Sequence, residues 1–200
     1  AAFKGEWVHP QFWPDSLDHA DKKVVVIGSG ATAMTLVPNM SRHATHVTMV
    51  QRSPTYVISR PSIDGLANWL RRVLPPKLAY DLVRWRNTIW QQWMYALTRV
   101  APGVVKRSLL KKVRAEIGEL VDVEKHFTPR YNPWDQRLCL LPDDDLFRAI
   151  QSGKASVVTN HIEKITENGV QLVSGAHLDA DIIICATGLE LVLLGGAEFT

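Results

Sequence analysis

One stretch restricts the fold more than any other. Residues 22–27, KKVVVI, form a short, β-branched, apolar run. Such a run reads as a strand buried on both faces of a parallel sheet. It leads directly into Gly28-Ser29-Gly30-Ala31-Thr32-Ala33, and a helix-compatible segment follows from 31 to about 40, with Pro38 straining its last turn. Strand, glycine turn and helix in that order form a dinucleotide-binding context. Gly28 permits the tight turn, and Gly30 lets a pyrophosphate approach the backbone. Ala33 is small enough for close helix–strand packing. The amides and positive dipole end at the start of the helix, from Ser29 through Ala31 and Thr32, suit a phosphate.

The next strand, residues 46–50, ends at Gln51-Arg52-Ser53. A site for a free ribose 2′-hydroxyl would place Asp or Glu there, and none is present. Arg52 suits a 2′-phosphate instead, through two parallel hydrogen bonds. The expected cofactor is therefore NADP, bound by Gly28, Ser29, Gly30, Ala31, Thr32, Ala33, Gln51, Arg52 and Ser53. A later apolar strand, residues 181–185, ends in Ala186-Thr187-Gly188. Thr187 and Gly188 are small enough to let a nucleotide or flavin come close.

Around this core the sequence predicts an α/β fold: a Rossmann-like domain with a parallel sheet, a β-hairpin or meander, and a helical insertion. Residues 157–159 read as a strand. Residues 162–166 and 170–173 read as a hairpin, joined at Asn168-Gly169 by a primed turn. Asp143-Asp144-Asp145 precedes a helix and supplies its N-cap; three consecutive carboxylates rarely converge on a metal. His43 and His46 lack the glutamate of a zinc hydrolase motif, so no metal is expected. The domain reading is a linker over 1–22 and a nucleotide domain over 23–200, with the insertion at 62–120.

Composition limits the function classes. Of 200 residues, 46% are hydrophobic and 22% charged, which excludes a disordered chain or a coiled coil. No apolar run approaches the roughly 18 residues of a spanning helix. Cys139 and Cys185 are too few and too far apart for a disulfide framework, and a reducing, cytoplasmic compartment is the expectation. The chain begins with Ala1 and carries no signal sequence, so it is expected to be part of something longer. Residues 60–115 hold twelve basic and two acidic side chains. That segment is +10, which leaves −7 for the rest of a chain whose total is +3. It also holds Trp69, Trp85, Trp90 and Trp93, with apolar residues at helical spacing. Helices are expected near 65–74, 77–100 and 104–118. The first reading of this lobe is an apolar face packed on a larger partner, and the second is a weak contact with a membrane surface. No nucleic-acid partner is assigned.

The opening residues narrow the function. Phe3, Gly5, His9, Trp13 and Pro14 fit FxGxxxHxxxWP without a gap. This resembles the fingerprint of type I Baeyer–Villiger monooxygenases, class B flavoproteins; related N- and S-oxygenases usually carry Tyr or Phe at the Trp13 position. Ala186-Thr187-Gly188 resembles the family's later ATG motif. The stretches VVVIGSGATAMTLVP, HVTMVQRSPTY and YNPWDQRLCLLP are similar to the bacterial ethionamide-activating subgroup. The resemblance implies a parent of two Rossmann domains, of which the first binds FAD and is not in this chain. It implies that NADPH reduces the flavin, and that one atom of O2 passes to a ketone or a sulfur. It implies that Arg137 is catalytic, as a fixed cation beside developing negative charge. It also implies that His9, within the fingerprint of Phe3, Gly5 and Trp13, couples domain movement rather than chemistry. Gln136 stands where other members have lysine. A flavin monooxygenase acting only on nitrogen or sulfur, or a non-enzymatic NADP-binding module, are the alternatives.

Overall fold

The computed structural model describes residues 3–190. In chain order the elements are β1 (Glu6–Val8), β2 (Lys23–Ile27), α1 (Ala31–Met40), β3 (His46–Gln51), β4 (Tyr56–Arg60), α2 (Gly65–Val73), α3 (Pro76–Val100), α4 (Pro102–Ile117), α5 (Val123–Phe127), β5 (Leu138–Pro142), α6 (Asp145–Gln151), β6 (Ala155–Thr159), β7 (Ile162–Thr166), β8 (Gly169–Leu172), β9 (His177–Asp179) and β10 (Ile182–Cys185). They divide into two compact units. One comprises the residues up to Pro54 and from Arg148 onward; the other is Thr55–Phe147.

The first unit is the expected α/β domain. Its five-stranded sheet has the order β1-β10-β2-β3-β6, every pair parallel. Val24, Val25 and Val26 are all but inaccessible, as are Ile182, Ile183 and Ile184. Alternation along each strand sends these side chains to two faces. Val25, Val50 and Ile183 meet Val170 and Leu172 of the antiparallel sheet β7-β8-β9. On α1, Ala33, Met34, Val37 and Met40 are buried, and the helix packs on β2 and β3. Burying each such aliphatic side chain is worth about 1.5–3 kcal/mol.

Two expectations change here. Residues 1–22 read as a linker, yet β1 is a strand of the sheet, pairing with β10 from Glu6↔Ile182 to Val8↔Ile184. Gly5 makes this approach feasible, since a Cβ there would lie 2.2 Å from the Asp181 carbonyl oxygen. Phe3 packs against the core between the two sheets. The β7–β8 hairpin forms as expected, but its turn is not primed. Thr166 pairs with Gly169, so Glu167 and Asn168 are the central residues, and neither adopts a positive φ. Gly169 instead answers to the third strand: a Cβ on it would lie 2.0 Å from the Leu178 carbonyl oxygen.

The second unit is larger than the expected insertion. The three helices lie at 65–73, 76–100 and 102–117. Asp64 caps α2: its carboxylate accepts from the Ala67 amide at 3.0 Å and pairs with Arg86. Those hydrogen bonds, Arg86's first, hold the carboxyl down at about 2. Val105, Leu109, Leu110, Val113 and Ile117 bury one face of α4. The unit also contains a parallel pair, β4 and β5, in register from Tyr56↔Leu138 to Arg60↔Pro142. Its core joins Tyr56, Val105 and Leu109 to Ile58, Leu97, Tyr131 and Leu138. Along α3, by contrast, Ala79 and Thr98 are the buried positions.

Candidate functional site

The glycine turn sits at the carboxyl edge of the parallel sheet. Gly28 has φ +128° and donates its N–H to the Val50 carbonyl at 2.8 Å. A Cβ on Gly28 would meet the Ala186 carbonyl oxygen at 2.5 Å. Glycine is required there by the protein's own backbone. Gly30 is different: nothing lies within 4 Å of where its Cβ would be. No neighbour demands a glycine at that position, whereas a ligand laid against the backbone would. Ala31 opens α1, and no side chain caps its first turn. First-turn amides have no intrahelical acceptors, so an anion can supply them. Ser29 and Ala33 are buried, and Ala33 has no accessible surface, so nothing larger would fit beneath the helix.

The sheet order brings the other expected residues to the same edge. β2 is flanked by β3 on one side and β10 on the other, and the chain reverses its direction of sheet growth at β2. Ligands in open α/β sheets bind at such a reversal, beyond the carboxyl ends of the strands. The ends of β10, β2 and β3 align, with Cys185 opposite Ile27 and Ile27 opposite Val50. Ala186 donates to the Ile27 carbonyl at 2.8 Å, which holds the Ala186-Thr187-Gly188 segment beside the glycine turn. Thr187 and Gly188 are exposed, as are Arg52 and Ser53. Gln51 is not: it is 2% exposed, and its Nε2 donates to Thr159 Oγ1 at 2.9 Å. Through this bond the Gln51 side chain fastens the end of β3 to β6. Facing residues of adjacent strands share one side of the sheet, and Gln51 pairs with Thr159.

His9 acts locally. Its Nδ1 accepts from the Gln11 amide at 3.3 Å and caps a single 3-10 turn at Pro10–Phe12. Trp13 closes that turn and is 37% exposed. Among the described residues no group of His, Cys, Asp and Glu could hold a metal. Asp143 and Asp144 both have positive φ. Asp143 Oδ1 accepts from the Ser62 amide, and the Asp144 amide donates to Ser59 Oγ. Burial raises the Cys139 thiol above its ordinary value, which keeps it protonated and inert.

Arg137 lies in the second unit, one residue before β5. Its side chain is exposed, but it is tied at two points. Its Nε donates to Thr55 Oγ1 at 3.1 Å, and its carbonyl accepts from the Tyr131 hydroxyl at 2.9 Å. Asp135, a neighbour in sequence, is taken by Arg99 at 2.9 Å, which holds its carboxyl below the usual range. The residues missed by sequence reasoning are Thr55, Tyr56 and Tyr131. Tyr56 donates to the Tyr131 carbonyl at 2.7 Å, and burial pushes its phenol up to about 12. The available signal was the pair of apolar runs at 56–58 and 138–141, each too short to identify as a strand alone.

Known proteins resemble this chain. "Probable FAD-binding monooxygenase AlmA" of Acinetobacter baylyi is 58% identical over 200 residues, covering all of this chain and 40% of that protein. "FAD-containing monooxygenase EthA" of Mycobacterium tuberculosis is 53% identical over 199 residues, covering 99% of this chain and 41% of that protein. The chain thus spans about two fifths of the length of these relatives. Among solved structures, FAD-bound OTEMO superposes with a TM-score of 0.69 at 21% identity, over 97% of this chain and 44% of that one. An oxidized steroid monooxygenase bound to NADP gives 0.66 at 21%, over 94% and 43%. At that identity the likeness is one of fold. The flavin-binding monooxygenase-like family model matches residues 1–193, and with relatives above half identity along its whole length, the chain belongs to the flavin-binding monooxygenase-like family.

Proposed function

We propose that this chain is the NADP-binding portion of an NADPH- and FAD-dependent monooxygenase that inserts one atom of O2 into ketones, or adds it to sulfur. The observation that carries this is the unbroken FxGxxxHxxxWP motif, whose residues flank β1, a strand of the same sheet as the glycine cradle. Trp13 in that motif favours ketone oxidation over an enzyme confined to nitrogen and sulfur. The open space at Gly30 and the uncapped start of α1 fit a pyrophosphate. Ser29, Gly30, Ala31 and Thr32 hold it, Gly28 and Ala33 shape the turn and the helix packing that present them, and Arg52 and Ser53 take the 2′-phosphate. Thr187 and Gly188 border the cradle. FAD is held by another part of the parent chain. When bound, the two cofactors supply hydride and oxygen-activating chemistry; the residues here bind and orient the nicotinamide dinucleotide. Arg137 supplies a guanidinium cation that stabilises negative charge as oxygen is transferred.

The test uses the full-length protein. It should be yellow and oxidise NADPH far faster than NADH. Arg52→Ala should raise the KM for NADPH roughly tenfold or more, the worth of a charge-assisted pair, with little change for NADH. Equal use of both cofactors by the unaltered enzyme would remove Arg52 from the 2′-phosphate. Arg137→Ala should still reduce its flavin with NADPH but form no ester from a simple ketone. A normal ester yield would exclude Arg137 from the mechanism. Oxidation of a sulfide without oxidation of a ketone would favour the heteroatom-only enzyme.

A specific observation favours a second contact. Leu78, Leu82, Trp85, Ile89 and Trp93 form one stripe along α3, every one of them 46–65% exposed. The segment that bears them is +10. Among the described residues no helix is long and apolar enough to cross a membrane, so the fitting mode is a helix lying on an anionic bilayer. Sedimentation with phosphatidylglycerol vesicles at low salt should carry the full-length protein down, and 1 M salt should release it. No sedimentation at low salt ends this proposal.

A further inference from the structure

Arg137 and Thr55 occupy matching places just ahead of two strands. β4 and β5 are parallel and pair Tyr56 with Leu138, so Thr55 and Arg137 stand one step earlier, side by side. Thr55 is 1% exposed, a buried hydroxyl beneath an exposed arginine. Three hydrogen bonds link these two residues and Tyr131 to one another. Arg137 Nε–H donates to Thr55 Oγ1 at 3.1 Å. Thr55 hydrogen-bonds the Tyr131 side chain. The Tyr131 hydroxyl donates to the Arg137 carbonyl at 2.9 Å. The donors run one way around a closed ring: guanidinium to threonine, threonine to tyrosine, tyrosine back to the arginine's own backbone. Bonds in such a ring polarise and strengthen one another.

Tyr131 is fixed in turn. Tyr56, 1% exposed, donates to its carbonyl at 2.7 Å, and the two rings pack edge to face at 5.3 Å and 88°. Burial also keeps the Tyr131 phenol above its ordinary value, so it remains a donor throughout the working range. A guanidinium is planar, and a bond at Nε sets the direction in which its other edge faces.

We propose that Thr55 and Tyr131 are positioning residues for Arg137: Thr55 sets the plane of the guanidinium, and Tyr131 sets the backbone from which it projects. This rests on the assignment of Arg137 to the oxygen-transfer step. Small misplacements of a catalytic group can cost about 100-fold in rate, so removal of the ring should appear in oxygen transfer and not in cofactor reduction.

The experiment uses the full-length flavoprotein and follows the fraction of NADPH consumed that appears as oxygenated product, alongside the rate of flavin reduction. Thr55→Val, which breaks two of the three bonds while keeping the side chain's shape, should lower that fraction roughly tenfold or more. Flavin reduction should stay within about twofold. Thr55→Ser, which keeps the hydroxyl, should restore most of the yield. Tyr131→Phe also breaks two bonds and should lower the yield in the same direction. In an Arg137→Ala background, Thr55→Val should add nothing. Loss of flavin reduction and melting temperature in step with yield, without rescue by serine, would overturn positioning and leave Thr55 as packing. Normal yield in both Thr55→Val and Tyr131→Phe, with Arg137→Ala inactive, overturns it too. Normal yield in Arg137→Ala overturns the role of Arg137 itself, a distinguishable result.

Discussion

The two units put their apolar residues to opposite use. In the first, Val24, Val25, Val26 and Ile182 to Ile184 lie at or below 1% exposure. In the second, the longest helix turns Trp85 and Trp93 outward, at 65% and 53%. Both patterns were plain in the sequence, but they carry different information. A continuous β-branched run can be satisfied only by burial on both faces, so the partner is implied: more sheet, and layers on either side. A helical stripe reports a face that wants cover without naming what covers it. The first unit is thus largely self-sufficient, and the second presents an unsatisfied surface.

Substitutions can break or sharpen that contrast. The largest effect belongs to the first unit's core. Ile183→Ala should cost about 2–5 kcal/mol, read as a lower urea midpoint for that unit. A loss below about 1 kcal/mol would mean the sheet is not close-packed there. Next come the two glycines of the turn, which should separate fold from binding. Gly28→Ala places a Cβ 2.5 Å from the Ala186 carbonyl at φ +128° and should cost about 1–3 kcal/mol of stability. Gly30→Ala meets nothing, so melting should be unchanged while NADPH affinity, measured by calorimetry, falls. Equal destabilisation by both would remove the ligand argument for Gly30.

A smaller effect is confined to the second unit. Burial, assisted by the charge on Lys125, lowers the pKa of His126 from its ordinary 6.5. The unfolded chain then binds the proton first, so stability should decline as pH falls below about 6.5. His126→Gln should flatten the decline; an unchanged pH profile would clear His126 of it. Smallest of all, Trp85→Ser should change stability by no more than about 0.5 kcal/mol. A large loss would show that α3 is covered after all.

Much of the first unit was legible, because strand, glycine turn and helix constrain one another over only a few residues. The three helices of the second unit were legible for the same reason. What escaped was non-local. β1 was hidden because three residues carry almost no periodic signal; Gly5 reveals its purpose only against Asp181, 176 positions away. β4 and β5 were missed because each is stabilised by the other across most of the insertion. Gln51 was read as a ligand contact from its place at a strand end, and its bond to Thr159 could not be read from there. The setting of Arg137 depends on Thr55, 82 residues earlier, which no local pattern could reveal.

One contact near the start of the chain has a mechanical consequence. The Gln11 side chain both donates to the Glu190 carbonyl at 3.0 Å and accepts from the Glu190 amide at 2.7 Å, an amide clasp between segments 179 residues apart. It lies just past the last pair of the parallel β1–β10 edge, Val8↔Ile184, and so fastens the two segments together beyond the strands themselves. Two bonds from one amide fix both the spacing and the register of the segments they join, so Gln11→Ala should let this edge of the sheet fray from its carboxyl end.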